Sequence, residues 1–208
     1  MSRDKEQTKQ QLIDAVGRLL TRDGYEAVGI NAVAREANLD KVLIYRYFDG
    51  LDGLLSAFAT QQDYFAQLES LIPATGAILS SAEAVEVSKQ VLLGQLRHIR
   101  NNPALLEILR WELNEQNPVT DALTAKREEQ GVALMDRIAT FVDFSMVDFP
   151  AIGNLLLGGI YYLALRSRTV NEFSGVNLQS DEGWQRTEHA IDQLLTILGE
   201  YIDDSPQQ

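Results

Sequence analysis

Between positions 41 and 47 a lysine, an arginine and two tyrosines fall within seven residues: Lys41, Tyr45, Arg46 and Tyr47. Lysine and arginine bind phosphate or guanine, and tyrosine hydroxyls reach phosphates. Residues 30–48 have the spacing of a short helix, a tight turn and a second short helix. That is the helix-turn-helix arrangement, in which the second helix enters the major groove. Ala34 is small where the two helices cross, and Leu39 and Ile44 can lock the second helix on the first. Lys41, Leu43, Tyr45, Arg46 and Tyr47 are then left near the outward face. With Gly29, Asn31 and Arg35 at and on the first helix, they form the candidate nucleic-acid set.

Other chemistry finds little support. There is no cysteine, which excludes disulfides, zinc-thiolate sites, cysteine-held iron–sulfur clusters and a cysteine nucleophile. His98 and His189 are the two histidines, too few for a multi-histidine metal centre. No Glu-x-x-His pair, serine elbow or phosphate loop is present. Glu128 and Glu129 are adjacent, so on a helix they point apart. The expectation is a protein that is not an enzyme and carries no metal or cofactor.

The elements that must position the cluster read as helices throughout. Leu12, Val16, Leu19 and Leu20 share a face of a first helix, which Gly24 can end in the left-handed conformation. A second helix runs from about Ile30 to Ala37, Asn38 tolerates positive φ in the turn, and Asp40 caps a third helix to about Phe48. Phe48 is expected in the core. Asp49-Gly50 breaks the chain, and a fourth helix carries Leu54, Leu55, Phe58, Phe65 and Leu68. Pro73 and Gly76 end it. Helix five (about 82–101) places Val85, Leu92, Leu96 and Ile99 on a stripe. Helix six carries Leu106, Leu109, Trp111 and Leu113; helix seven runs about 119–143. Helix eight is the apolar run from Phe149 that ends near Arg168, and helix nine spans about 181–203 after a polar loop at 169–181. No strand alternation or repeat is visible.

The run Phe149–Leu165 is 17 residues and contains Pro150 and three glycines, short of the roughly 20 apolar residues of a membrane span. It is expected to be a buried helix covered on every side. Met1–Gln11 is polar, with no apolar run of an export signal. Together with the lack of cysteine, this gives a cytoplasmic expectation with no membrane partner. Net charge is −12, unevenly spread: residues 1–55 hold eight basic and nine acidic residues, and residues 56–208 hold ten and 21. The acidic part is expected to stay off nucleic acid.

The segment Thr8–Phe58 resembles the TetR family of bacterial transcriptional regulators. The resemblance rests on Leu12, Ala15 and Leu19-Leu20, on Asp23-Gly24-Tyr25-Glu26-Ala27, and on Ile30-Asn31-Ala32-Val33-Ala34. It continues through Ala37-Asn38-Leu39, Ile44-Tyr45-Arg46-Tyr47-Phe48 and Leu54-Leu55. It implies an all-α fold of about nine helices: a three-helix DNA-binding domain at 1–50 and a larger helical ligand-binding and dimerisation domain at 51–204, with 205–208 frayed. It also implies a homodimeric repressor on a double-stranded, palindromic operator, released by a small apolar effector. The chain departs from the family pattern at Val28, Gly29, Asn38, Asp40, Asp49 and Leu51, where hydroxyls, a glycine and lysines are usual. Those departures weaken the phosphate term of DNA affinity and motivate the alternative of a helical binding module without DNA.

In the larger part, Phe65, Trp111, Asn154, Tyr161 and Tyr162 are the pocket candidates, with His98 a weaker one. Glu107, Glu112 and Glu115 are expected on a solvated face of helix six. Leu156 on helix eight and Ile191, Leu194, Leu195, Leu198 and Tyr201 on helix nine are the candidate dimer interface, a four-helix bundle across a two-fold axis. Gly153, Gly158 and Gly159 allow close helix approach. Helix four is the expected coupling element, pivoting at Asp52-Gly53.

Overall fold

The computed structural model describes residues 2–61, 80–139 and 147–204. Phe65, Leu68, Pro73 and Gly76, the end of helix seven beyond 139, and the 205–208 tail lie outside the described residues. The described chain is all-α, with nine helices: α1 (Ser2–Asp23), α2 (Ile30–Ala37), α3 (Val42–Phe48), α4 (Leu51–Thr60), α5 (Ser81–Arg100), α6 (Pro103–Asn114), α7 (Pro118–Ala139), α8 (Phe149–Arg166) and α9 (Asp181–Asp204). None of the described helices is long and apolar enough to cross a membrane.

The chain divides into two compact units. The first joins Met1–Tyr64 to Asn102–Gln130. Its centre is the apolar face of α1: Leu12, Ala15, Val16, Leu19 and Leu20 are at most 2% exposed. α2, α4 and α6 all pack on α1, and α3 packs on α4. Val33 and Ile44, both fully buried, seat α2 and α3, whereas Phe48 is half-buried rather than enclosed. Helix ends follow side-chain chemistry. The Asn102 amide oxygen accepts from Leu105 N–H at 3.0 Å, ahead of Pro103 in the first turn of α6. Asn117 accepts from Val119 and Thr120 in the same way at the start of α7.

Four further expectations are corrected in this unit. Gly24 has φ 80 and ψ 172, so it leads from α1 into a 3₁₀ turn at Tyr25–Ala27 rather than closing α1 in the left-handed helical conformation. Glu107 is 2% exposed and ion-paired to Arg110 Nη2 at 2.9 Å. Glu112 pairs with Arg127 in a half-buried site, and Glu115 accepts from Trp111 Nε1 at 2.9 Å, so α6 does not present a plain solvated acidic face. Leu113, expected on the apolar stripe, is 76% exposed. Finally, Asp52-Gly53 is not loose: a Cβ on Gly53 would sit 1.7 Å from the Phe48 carbonyl oxygen. Glycine there lets α4 start directly against the end of α3.

The second unit joins Phe65–Asn101 to Gly131–Gln208. α5 is its axis, with α8 and α9 packed on it. A capping box opens α5: Glu83 N–H donates to Ser80 Oγ, and Ser80 N–H donates to Glu83 Oε2 at 2.9 Å. Leu92, Leu96 and Ile99 of α5 are buried, as are Ile191 and Leu195 of α9. Ion pairs Lys89–Asp192, Arg97–Glu188 and Arg100–Asp181, at 2.7, 2.7 and 3.3 Å, run antiparallel along the α5–α9 seam. Two-residue strands β1 (Glu172–Phe173) and β2 (Val176–Asn177) form a hairpin in the expected polar loop. Ser174 and Gly175 turn it at positive φ. Among the described residues α8 is not covered on every side. It buries Ile160 and Ala164 and leaves Leu155 77% and Tyr162 50% exposed.

Candidate nucleic-acid interface

The turn between α2 and α3 is held by local hydrogen bonds. Asn38 closes α2 in the left-handed region at φ 53, ψ 45, and Leu39 N–H donates to Ala34 C=O at 2.9 Å. The Asp40 carboxylate then accepts from Val42 N–H at 2.9 Å, which fixes the start of α3. At the other end Asp49, at φ 62, donates its N–H to Tyr45 C=O. With Ile44 turned fully inward, the opposite face of α3 must point out. Lys41, Val42, Tyr45 and Arg46 are exposed, and on α2 so are Asn31 and Arg35. Gly29, Leu43 and Tyr47 are half-buried. Val42, at 60%, therefore occupies the outward place expected for Leu43. Its spacing to Tyr45 and Arg46, three and four residues on, is the signal that identifies it in the sequence.

Electrostatics divide the basic residues by task. Glu36 of α2 is gripped by two arginines of α1, Arg18 Nε and Arg22 Nη1, each at 2.9 Å. Arg22 also pairs with Asp23 at 2.8 Å. Hydrogen bonds from Arg18 and Arg22 hold the Glu36 carboxyl below its usual range, and Arg22 does the same for Asp23. Arg18 and Arg22 thus tie α1 to α2. Arg35, Lys41 and Arg46 have no ion-pair partner among the described residues. The ammonium of Lys5 and the guanidinium of Arg46 each lie 5.8 Å from the centre of the Tyr47 ring, which groups them at one end of α3. The result is a surface of four cations, two tyrosines, an asparagine and one valine, on elements that share one core.

The unit also contains a tether that the sequence does not announce. Tyr25 in the 3₁₀ turn stacks on Trp111 of α6, with ring centres 5.5 Å apart and planes at 10°. The Arg110 guanidinium lies 4.8 Å from the centre of the Tyr25 ring. Trp111 is 6% exposed and belongs to this stack, in the first unit.

The remaining pocket candidates do not converge in the second unit. Asn154 is exposed, and Tyr162 stacks edge-on to Phe173 with ring centres 5.5 Å apart. Tyr161 is half-buried, its hydroxyl accepting from Gln95 Nε2 at 3.4 Å. Gln95 is 2% exposed and its Oε1 has no hydrogen-bond partner among the described residues. Gln95 sits between Leu92 and Leu96 on the buried stripe of α5, a polar residue at a core position. His98 is half-buried on α5. Of the candidate dimer residues, Ile191 and Leu195 are buried within the chain itself, and Leu156 and Leu198 are half-buried. Leu194 and Tyr201 are 54% and 61% exposed and are joined by Ile197 at 62%. No group of three or more His, Cys, Asp and Glu side chains among the described residues is placed to hold a metal ion.

Residues 9–58 match the family model described as bacterial regulatory proteins, tetR family. Among curated proteins, an uncharacterized HTH-type transcriptional regulator of Mycobacterium tuberculosis, found in two strains, is 25% identical over 130 residues. That stretch is 61% of this chain, and the chain spans about three-fifths (59%) of the length of those relatives. Among solved structures, a TetR family transcription regulator from Marinobacter aquaeolei aligns with a TM-score of 0.62 at 19% identity, covering 93% of this chain and 97% of that one. The regulator FadR from Bacillus subtilis, in complex with stearoyl-CoA, aligns with a TM-score of 0.62 at 15% identity, covering 89% and 96%. Residues 9–58 thus match the model of the tetR family, and the fold is similar to that of solved TetR-family regulators.

Proposed function

We propose that this chain is a ligand-responsive transcriptional repressor that binds a palindromic operator as a homodimer through the exposed face of α3. The observation that carries the proposal is the division of α3 itself. Ile44 is fully buried while Lys41, Tyr45 and Arg46 are exposed on the opposite side. Lys41, Arg46, Arg35 and Lys5 supply phosphate or guanine contacts, the tyrosine hydroxyls supply phosphate contacts, and Asn31 adds a side-chain amide. Homology of residues 9–58 to the tetR family supports the same assignment.

The uncovered apolar stripes support the dimer. Leu194, Ile197 and Tyr201 recur along α9, and Leu155 and Tyr162 along α8. Two copies covering these stripes would carry two recognition helices, matching half-sites about 34–36 Å apart. The effector is a small, largely apolar molecule bound in the second unit beside Tyr161. The buried, unpartnered Gln95 Oε1 supports an effector that brings one hydrogen-bond donor. FadR from Bacillus subtilis, which has this fold, takes stearoyl-CoA. Release works by population shift: the effector binds the dimer that no longer matches the half-site spacing more tightly than the one that does.

The test is selection of bound sequences from random duplex DNA by the full chain, at low and at physiological salt. Enrichment of an inverted repeat with half-sites about one helical turn apart supports the proposal. No enrichment at either salt overturns it and favours a binding module without DNA.

A further inference from the structure

We infer that Val42 is a base-reading residue that recognises the 5-methyl group of a thymine in each operator half-site. The inference rests on the DNA-binding function proposed above.

Among the described residues, only two large apolar side chains of the helix-turn-helix are exposed, Val42 at 60% and Tyr45 at 55%. Tyrosine has a hydroxyl for phosphate, but valine has nothing to offer a phosphate or a polar base edge. Val42 is also the first residue of α3. In a helix-turn-helix the N-terminal residues of the second helix are the ones that meet base edges. The major groove presents one apolar group, the thymine methyl, and apolar side chains read it by contact.

The position is pre-organised. Val42 N–H is bonded to the Asp40 carboxylate at 2.9 Å, and buried Ile44 two residues on fixes the rotation of the helix. A β-branched side chain in a helix is held to one dominant rotamer. The two methyl groups therefore stand in a fixed place beside Lys41, Tyr45 and Arg46, with little ordering left to do on binding. Asp40 bears on this in a second way. Its carboxylate, which would otherwise face the phosphates as a free negative charge, is engaged as the cap that orients Val42.

The experiment uses the full-length chain and the operator obtained by selection. Each thymine of one half-site is replaced in turn by deoxyuridine, which removes only the methyl group. Affinity is read by fluorescence anisotropy for the wild type and for Val42→Ala. Val42→Thr, which keeps the branch and one methyl, guards against a general effect of truncation. One thymine position is expected to cost the wild type about three- to tenfold, the worth of one buried methyl-sized contact. The same replacement costs Val42→Ala less than about twofold, and Val42→Thr falls between. If no thymine position costs the wild type more than twofold, or if Val42→Ala loses as much as the wild type, the assignment of Val42 is wrong while operator binding stands. If the selection yields no operator, the DNA-binding function falls first and the role of Val42 with it.

Discussion

Replacing Gly53 by alanine adds a single methyl group, and the structure turns that small change into a large one. The new carbon would lie 1.7 Å from the Phe48 carbonyl oxygen and 2.8 Å from its carbonyl carbon. Ordinary contact between a carbon and an oxygen is about 3.3 Å, so α3 and α4 must part by well over 1 Å at their junction. Helix propensity pulls the other way, favouring alanine over glycine by about 1 kcal/mol in a helix interior. The clash wins because both atoms are held. Phe48 ends α3, whose Ile44 is fully buried, and Gly53 is followed by Leu54 and Leu55, both at most 4% exposed. A rigid overpacked site costs about 1–3 kcal/mol or more. The net expectation for Gly53→Ala is a loss of about 2 kcal/mol, a fall in Tm of roughly 4–8 °C for a chain of this size. Thermal unfolding followed by circular dichroism measures it. A Tm equal to or above that of the wild type would refute the close approach of α4 to Phe48 and restore the pivot at Asp52-Gly53.

The Arg18–Glu36–Arg22 cluster makes stability depend on acid. Glu36 and Asp23 have folded-state pKa values below their unfolded ones, so their contribution is full above the unfolded carboxylate value of about 4 and is lost as pH falls through the folded one. The stability gap between wild type and Glu36→Gln should close on acidification, and a gap that stays constant down to pH 3 contradicts the pairing. Arg127→Met strands Glu112 in a half-buried site and should cost about 3–5 kcal/mol in denaturant unfolding. Because burial pushes the Glu112 carboxyl up, protonation relieves part of that cost, so the deficit should shrink as pH is lowered. Gly158 has nothing within 4 Å of an added Cβ in the single chain, so alanine there should stabilise an isolated subunit by up to about 1 kcal/mol. If α8 meets a second copy closely, Gly158→Ala instead raises the dimer dissociation constant in sedimentation equilibrium, and an unchanged constant removes Gly158 from the interface.

The elements that were legible in the sequence are those whose signals are local. α2 ends where Asn38 enters positive φ, and Asp40 marks the start of α3 through a hydrogen bond spanning two residues. The apolar period of α1 places Leu12, Val16, Leu19 and Leu20 in the core as expected. What failed depended on partners that helical periodicity does not reveal. Glu112 on α6 looks solvated until Arg127 is brought beside it, and Trp111 looks like a pocket aromatic until Tyr25 stacks on it. Gly53 has the same logic: after an aspartate and before an apolar run it reads as slack, and only the position of Phe48 makes it indispensable. The hairpin at 172–177 escaped because strands of two residues have no alternation to detect. On α9 the apolar stripe is wide enough to serve two neighbours. Periodicity alone does not say that α5 takes Ile191 and Leu195 and leaves Leu194, Ile197 and Tyr201.

Net charge is a poor guide to how this chain would meet DNA, because charges near α3 are already sorted. Asp40 caps, Glu36 and Asp23 are neutralised by Arg18 and Arg22, and Lys9 pairs with Glu6 at 3.2 Å. The acids that would repel a phosphate are partly engaged, and so are the arginines that would attract one. The exposed cations left on the candidate surface are Lys5, Arg35, Lys41 and Arg46, four in each subunit. A dimer using all of them neutralises at most about eight phosphates, and each contributes about 0.9 to the dependence of log affinity on log salt. The slope should therefore be no steeper than about −7, and Lys41→Ala or Arg46→Ala should each make it shallower by about 2 in the dimer. A markedly steeper slope would mean that cations outside α3 and its neighbours reach the backbone, and that the surface described by these four is incomplete.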